Sequence, residues 1–228
     1  MGVITYSGVL MIGSALLLSH FAYRRWLDFR KDPHNTINTL YLLASSIIAL
    51  ALALYSIPGL SRPYGSLWSL CVVVATGINM LGFCYFMRVP LRALGSDALY
   101  TILSHLLGLY VLSVMVFLIL YPPVPHVSES GVVHWGFAVG QSVFILGLNA
   151  VAFLCNIFFI YKTLRQSARQ WFPKFLALMF TFVLTGLGGG YLYVGDNDTL
   201  LRIAYAVLFG GILLLTLGTM ITPHEEKG

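Results

Sequence analysis

Apolar residues form seven long runs along the chain, and short polar segments separate them. Each run has about the 20 residues that an α-helix needs to cross the hydrocarbon core of a bilayer. The predicted spans cover residues 3–23, 37–59, 66–88, 99–121, 134–161, 173–194 and 200–221. The pattern therefore predicts an all-α integral membrane protein, with one seven-helix transmembrane domain over residues 1–221 and a short tail at 222–228.

The composition favours a membrane protein over a soluble one. Only 9% of the 228 residues are charged and 58% are hydrophobic, whereas soluble domains carry about 25% charged residues. The formal net charge of +5 does not indicate a nucleic-acid partner, because the basic residues lie in short clusters beside the apolar runs. The predicted environment is the lipid bilayer.

The distribution of basic residues predicts the orientation of the chain. Of the 13 Lys and Arg residues, all but Arg62 and Arg202 lie in the segments that follow the odd-numbered spans. Since cytoplasmic segments are enriched in Lys and Arg, the N-terminus is predicted outside and the C-terminus in the cytoplasm. The predicted location is the plasma (inner) membrane of a prokaryote.

No Asp, Glu or Lys residue lies in the middle of a predicted span. The basic residues lie in clusters at the span ends. Ionisable residues inside a membrane usually belong to proton relays, ion sites or counter-ions. Their absence argues against an ion-coupled pump, an intramembrane aspartyl protease and a retinal protein. No catalytic residue, no metal site and no enzyme activity are predicted.

Span 5 carries the clearest polar stripe. His134, Gln141, Asn149 and Asn156 are spaced 7, 8 and 7 residues apart, which places them on one face of a helix. Two interpretations of this face are open. Either the amides hydrogen-bond neighbouring helices, or they line a polar cavity that opens outward near His134 and binds a small ligand, with Asn79 of span 3 as a further candidate.

Two histidines form a second candidate site. His20 lies near the cytoplasmic end of span 1, and His105 lies at a similar predicted depth in span 4. Paired histidines on separate helices can ligate haem, so haem b is the alternative cofactor. In the other interpretation, each histidine forms its own hydrogen bonds and the two do not share a ligand. No cofactor is then predicted.

Glycine is concentrated in spans 6 and 7, at Gly186, Gly188–Gly190, Gly210, Gly211 and Gly218. Small residues allow helix backbones to approach closely. The pattern predicts a close contact between spans 6 and 7, or a homodimer face.

Aromatic residues lie near the predicted span ends, as expected for the two membrane interfaces. They are Tyr23, Trp26, Tyr64, Tyr121, Trp135, Tyr161, Trp171 and Tyr193. None of them requires a ligand on this interpretation.

The segment from Arg24 to Leu60 joins a basic, aromatic turn to Asn38-Thr39-Leu40-Tyr41-Leu42-Leu43-Ala44 and a long aliphatic helix. It resembles the start of the seven-transmembrane N-terminal sensor regions of prokaryotic histidine kinases. The resemblance implies a non-enzymatic receptor or sensor module that binds a small or lipidic ligand and acts through a separate protein partner. This chain departs from the family's arrangement, since no kinase domain follows span 7.

Two further functions remain open. One is a membrane subunit of a respiratory or electron-transfer complex, with haem b at His20 and His105. The other is a seven-helix facilitator for small solutes, in which spans 1–3 and 5–7 are parallel repeats around span 4. Similar basic segments after Tyr23 and Tyr161 support the repeat, whereas the Pro-Gln signature of such facilitators is absent.

Overall fold

The computed structural model describes residues 4–61, 65–93, 97–166 and 172–220. Within these ranges, all seven α-helices are long and apolar enough to cross a membrane. They are α1 (Tyr6–Lys31), α2 (Thr36–Leu60), α3 (Gly65–Ala93), α4 (Asp97–Leu120), α5 (Val139–Gln166), α6 (Phe172–Val194) and α7 (Asp198–Gly218). The prediction of an all-α, multi-pass membrane protein with seven helices is confirmed. The predicted tail at 222–228 and the residues Arg62, Tyr64, Arg169 and Trp171 lie outside the described ranges.

Side-chain caps set the beginning of three helices. The side chains of Thr5, Asn35 and Asn197 accept hydrogen bonds from backbone N–H groups in the first turns of α1, α2 and α7. Such caps satisfy donors that have no partner inside the helix. The three caps therefore define where α1, α2 and α7 begin.

The basic clusters after residues 23 and 88 lie within the C-terminal parts of α1 and α3 and not in the connections, where they were predicted. α1 continues past residue 23 to Lys31, and α3 continues past residue 88 to Ala93. Cations are stabilised near a helix C-terminus by the exposed carbonyl groups and the helix dipole. The clusters therefore extend these helices beyond the apolar runs.

The structure of the connection between α4 and α5 corrects the predicted start of the fifth span. That span was predicted to begin at residue 134, whereas α5 begins at Val139. The preceding residues form an antiparallel hairpin of β1 (His126–Val127) and β2 (Val133–His134). Gly136 has φ of +68°, which breaks the helix, and its backbone lies so close to Val124 that a side chain has no space.

The hairpin lies at the end of the bundle where α1, α5 and α7 begin. The Val133 N–H donates to Ser7 Oγ of α1 at 3.0 Å, and Tyr205 Oη of α7 donates to the Val133 carbonyl at 2.9 Å. At the same end, Ser142 Oγ of α5 donates to the Tyr193 carbonyl of α6. We call this the hairpin end, and we call the opposite end, where α1, α3 and α5 finish with basic residues, the basic end.

α4 lies at the periphery of the bundle. It packs against α3 and α5, whereas α1 packs against both α2 and α7. In its most apolar stretch only 17% of residues are buried, compared with 67% for α3. α4 contributes Val111, Val114 and Leu118 to the buried core, while the other six helices form most of the interior and the outer face of α4 is available to lipid.

The glycines of α6 and α7 form a close contact within the chain. A Cβ atom added at Gly188 would lie 2.7 Å from the Ala204 carbonyl oxygen and from the Leu208 nitrogen. One added at Gly211 would lie 3.0 Å from the Thr185 nitrogen. These two glycines therefore serve the α6–α7 contact, and the homodimer remains a prediction.

We expect Gly188→Ala to lower the free energy of unfolding by at least about 1 kcal/mol, because the added methyl group forces two backbones apart. The matched control is Gly210→Ala, since nothing lies within 4 Å of a Cβ atom at Gly210. The control should be neutral or slightly stabilising, as alanine favours helix. Unfolding in mixed detergent micelles measures both variants, and equal effects would show that the Gly188 contact is not tight.

Candidate functional site: a cavity inside the bundle

The four residues of the predicted polar stripe do not share one helix. Gln141, Asn149 and Asn156 lie on α5 and are 1%, 4% and 0% exposed. His134 lies on β2 instead, so its place on the helical face was wrong. The helical spacing does not apply to residues 134–138, because they form the end of β2 and the segment that joins it to α5.

Gln141 joins the beginning of α5 to the end of α4. Its Oε1 accepts a hydrogen bond from the Ala138 N–H at 2.9 Å, and its Nε2 donates to the Tyr121 carbonyl at 2.5 Å. Both the oxygen and the nitrogen of the amide are therefore hydrogen-bonded to backbone groups. Gln141 has a structural role here and is not placed on the wall of the interior cavity.

Asn156 has a similar role nearer the basic end. Its Nδ2 donates to the Ala152 carbonyl at 2.9 Å and to the Phe86 carbonyl of α3 at 3.2 Å. The amide thus joins α5 to α3. It also lies outside the interior cavity.

Asn149 and Asn79 are the two predicted residues that the structure brings to one site. Both line a cavity between the helices, and they are only 4% and 6% exposed. Asn79 belongs to α3 and Asn149 to α5. We call this space between the helices the central cavity.

Tyr193 is the centre of a hydrogen-bond network on the wall of the central cavity. Its hydroxyl accepts a hydrogen bond from Asn79 Nδ2 at 3.0 Å and lies 3.1 Å from the Tyr55 hydroxyl. The Tyr55 hydroxyl lies 2.7 Å from Thr76 Oγ1, and the Asn149 amide also approaches Tyr193. The network therefore connects α2, α3, α5 and α6 through buried polar groups.

The remaining wall of the central cavity is mostly apolar and aromatic. Side chains from α1, α2, α3, α5, α6 and α7 contribute to it, including Phe83, Phe86, Phe153 and Phe182. The cavity volume is about 90 Å³, and a water molecule needs roughly 10–15 Å³ on this scale. The space is enough for several water molecules or for a small organic molecule.

Two polar atoms on this wall have no hydrogen-bond partner among the described residues. They are Asn149 Oδ1 and Thr181 Oγ1, and both are buried. Leaving a buried acceptor unsatisfied costs about 1–3 kcal/mol. A bound molecule that donates a hydrogen bond to Asn149 would remove this cost.

Trp135 closes the hairpin end of the central cavity. It lies directly after β2, is 3% exposed and forms part of the cavity wall. Its ring centroid is 4.8 Å from that of Tyr55 and 6.3 Å from that of Tyr205. Trp135 was predicted to lie at the membrane interface, whereas it is buried against Tyr55 and Tyr205. His134, beside which the cavity was predicted to open, does not line the cavity.

His134 fastens the hairpin to α7. Its Nε2 lies 2.6 Å from Asp198 Oδ1, and Ser130 Oγ donates to Asp198 Oδ2. Arg202 donates to the Ser130 carbonyl, while the ring of His126 stacks on that of His134 at 4.8 Å. His134 therefore holds the hairpin in place and does not line the central cavity.

His20 and His105 are not brought to a common interior site. Both side chains are exposed on the outside of their helices. α1 packs against α2 and α7, whereas α4 packs against α3 and α5. His105 Nδ1 lies 2.8 Å from the Thr101 carbonyl one turn earlier, which is a local contact within α4. In the part of the chain that the structure describes, no group of three His, Cys, Asp or Glu side chains is placed to hold a metal ion.

Tyr55, Thr76, Thr181 and Trp135 were not predicted as site residues, and Tyr193 was assigned to the membrane interface. The helical spacing of apolar residues could have indicated Tyr55. It lies about one turn after Leu52 and two turns after Ile48, and all three line the cavity. Depth along the helix alone does not distinguish an interfacial tyrosine from a buried one.

No protein-family model matches the chain, and no curated protein is significantly similar to it.

Proposed function

We propose that this protein is a non-enzymatic membrane receptor or sensor module that binds a small molecule in the central cavity. The observation that carries the proposal is the buried, unpartnered Asn149 Oδ1 on the cavity wall, beside the hydrogen-bonded network of Tyr193, Asn79 and Tyr55. Ligand sites commonly combine apolar walls with a few convergent polar groups. Asn149 and Asn79 are the proposed ligand-binding residues from the predicted set.

The wall defines the chemistry of the proposed ligand. Aromatic rings favour an apolar or aromatic body, and the free acceptor on Asn149 favours a molecule with one hydrogen-bond donor. No charged side chain lines the cavity among the described residues, so the ligand is neutral. A small aromatic alcohol has all of these properties.

The position of the cavity supports a sensor function. Six helices and Trp135 of the hairpin form its wall, so a bound molecule contacts nearly every part of the interior. A ligand shifts a conformational equilibrium only when it binds one state more tightly than the other. A change in the packing around this cavity would be passed to a separate protein partner in the membrane or the cytoplasm, as the resemblance to histidine-kinase sensor regions implies.

The proposed orientation places the hairpin end outside and the basic end in the cytoplasm of the plasma (inner) membrane. Eight of the described basic residues lie in the C-terminal parts of α1, α3 and α5, namely Arg24, Arg25, Arg30, Lys31, Arg88, Arg92, Lys162 and Arg165, whereas Arg202 lies near the start of α7 at the hairpin end. This asymmetry follows the positive-inside rule. The ligand would then lie closer to Trp135 and the outer face than to the basic end.

The proposed ligand chemistry is tested with phenol and toluene, which have similar shapes but differ in the hydrogen-bond donor. We expect phenol to bind the purified protein roughly two- to tenfold more tightly than toluene, since a net hydrogen bond contributes about 0.5–1.5 kcal/mol. The emission of Trp135 measures occupancy, and equilibrium dialysis gives the free concentration of each probe. A Trp135→Phe variant assigns the signal.

The variant Asn149→Leu should abolish the preference for phenol while the protein still folds. Gln141→Leu is the matched control on the same helix face, because Gln141 does not line the cavity. It should retain the preference and lower only the stability, since the Tyr121 carbonyl and the Ala138 N–H lose their partner. Equal binding of the two probes by the unmodified protein, or an unchanged preference in Asn149→Leu, would contradict the proposal.

A further inference from the structure

A second cavity lies at the basic end of the bundle, and we call it the basic-end cavity. Its volume is about 160 Å³. α1, α2, α3, α5, α6 and α7 all contribute to its wall, as does Thr219 after α7. The residues that matter for its chemistry are Phe21, Arg25, Tyr41, Phe86, Phe159 and Phe182.

Arg25 is the only charged side chain on the described wall of the basic-end cavity. One guanidinium nitrogen, Nη2, lies 3.1 Å from Asp28 Oδ2, and the Arg25 side chain is only 21% exposed. Its Nε is buried and has no hydrogen-bond partner. A guanidinium group has five N–H donors, so the contact with Asp28 leaves donors for a second anion.

Arg25 is held beside aromatic rings. Its guanidinium carbon lies 5.4 Å from the centroid of the Phe21 ring, a distance typical of a cation–π contact. Tyr41 lines the same cavity and packs edge-on against Phe86 at 5.8 Å. A single cation thus borders a largely aromatic space.

The basic-end cavity is separate from the central cavity. Phe86, Phe182 and Leu215 line both cavities, and the Phe86 and Phe182 rings meet at 5.9 Å in an edge-to-face contact. These side chains form the wall between the two spaces.

We propose that the basic-end cavity binds an acidic amphiphile, with its anionic head on Arg25 and its apolar chain among the phenylalanine rings. A carboxylate or phosphate head matches the planar guanidinium group. The phenylalanine rings match a hydrocarbon chain, and Arg25 is the one charged group on the described wall that can pair with the anionic head. Fatty carboxylates and acidic membrane lipids share this chemistry.

The proposal is tested by binding of radiolabelled dodecanoate to the protein in phosphatidylcholine nanodiscs. Dodecanol supplies the chain without the charge, and butanoate supplies the head without the chain. We expect unlabelled dodecanoate to displace the label at least tenfold more effectively than either comparison compound. Equal displacement by butanoate would show that the chain has no site, and equal displacement by dodecanol would show that Arg25 does not bind the head.

Three variants separate binding from folding. Arg25→Gln should weaken dodecanoate binding roughly ten- to hundredfold, as expected for hydrogen bonds to a charged group. Arg24→Gln is the matched control, since the neighbouring Arg24 is exposed and does not line the cavity. Asp28→Asn should tighten binding, because it removes the anion that competes for Arg25. Equal weakening in Arg24→Gln and Arg25→Gln, or weaker binding in Asp28→Asn, would overturn the proposal.

Nanodiscs that also contain phosphatidylglycerol distinguish the two sources of the head group. If the acidic lipid occupies the cavity, it should lower dodecanoate binding to the unmodified protein, and the effect should be lost in Arg25→Gln. If binding is unchanged, the site selects a free fatty carboxylate. Either result supports an acidic amphiphile, provided that the Arg25 dependence holds. The phenol experiment does not depend on this outcome.

Discussion

Replacing Trp135 with alanine is expected to lower the free energy of unfolding by about 3–5 kcal/mol, which is typical of the loss of a large buried aromatic side chain. Trp135 is 3% exposed and contacts Tyr55 and Tyr205. Its loss would leave a space at the hairpin end of the central cavity, and the segment after β2 would lose a large apolar contact with the bundle.

Trp135→Ala is measured by unfolding in mixed detergent micelles, with Trp26→Ala as the matched control. Trp26 is 39% exposed at the basic end, so its loss should have a much smaller effect. Trp135→Phe should restore a large part of the stability because it refills the space. A result in which Trp135→Ala costs no more than Trp26→Ala would show that the hairpin does not cover the bundle as described.

The second large effect is expected for Tyr193→Phe, which should lower the free energy of unfolding by up to about 3 kcal/mol. The change removes one hydroxyl group and almost no volume. Asn79 Nδ2 then loses its acceptor inside the bundle, and leaving a buried donor unpaired costs about 1–3 kcal/mol. The Tyr55 hydroxyl keeps its contact with Thr76, so its loss is smaller.

Tyr191→Phe is the matched control for Tyr193→Phe, because Tyr191 is on the same helix and does not line the central cavity. It should change the stability by less than about 0.5 kcal/mol. The double variant Tyr193→Phe with Asn79→Leu should recover part of the lost stability, since it removes the unpaired amide. If the double variant is simply the sum of the two single ones, the two groups do not interact as the network requires.

Hydropathy was enough to predict the helices, since backbone groups in lipid must be satisfied within each span. All seven predicted spans overlap a helix. Their ends were less well predicted, because the basic residues after residue 23 continue α1 and do not form a loop. A rule based on apolar content ends a span where charge begins, whereas a helix can continue into the interface.

The polar stripe was only partly informative about the site. Spacing placed Gln141, Asn149 and Asn156 on one side of a helix, and all three are buried. It did not separate Asn149, on the cavity wall, from the other two, which bond backbone carbonyls. The difference depends on what the facing helix presents at each depth.

Seven membrane-length helices, one basic end and a polar face on α5 could all be predicted from the chain alone. These features depend on the local composition of each segment, because the backbone groups of an apolar segment in lipid must be hydrogen-bonded within that segment. The hairpin before α5, the position of Trp135 over a cavity and the contacts of Tyr193 with Asn79 and Tyr55 are visible only in the folded structure. These contacts join residues far apart in the chain, and they depend on how the helices pack against one another in three dimensions.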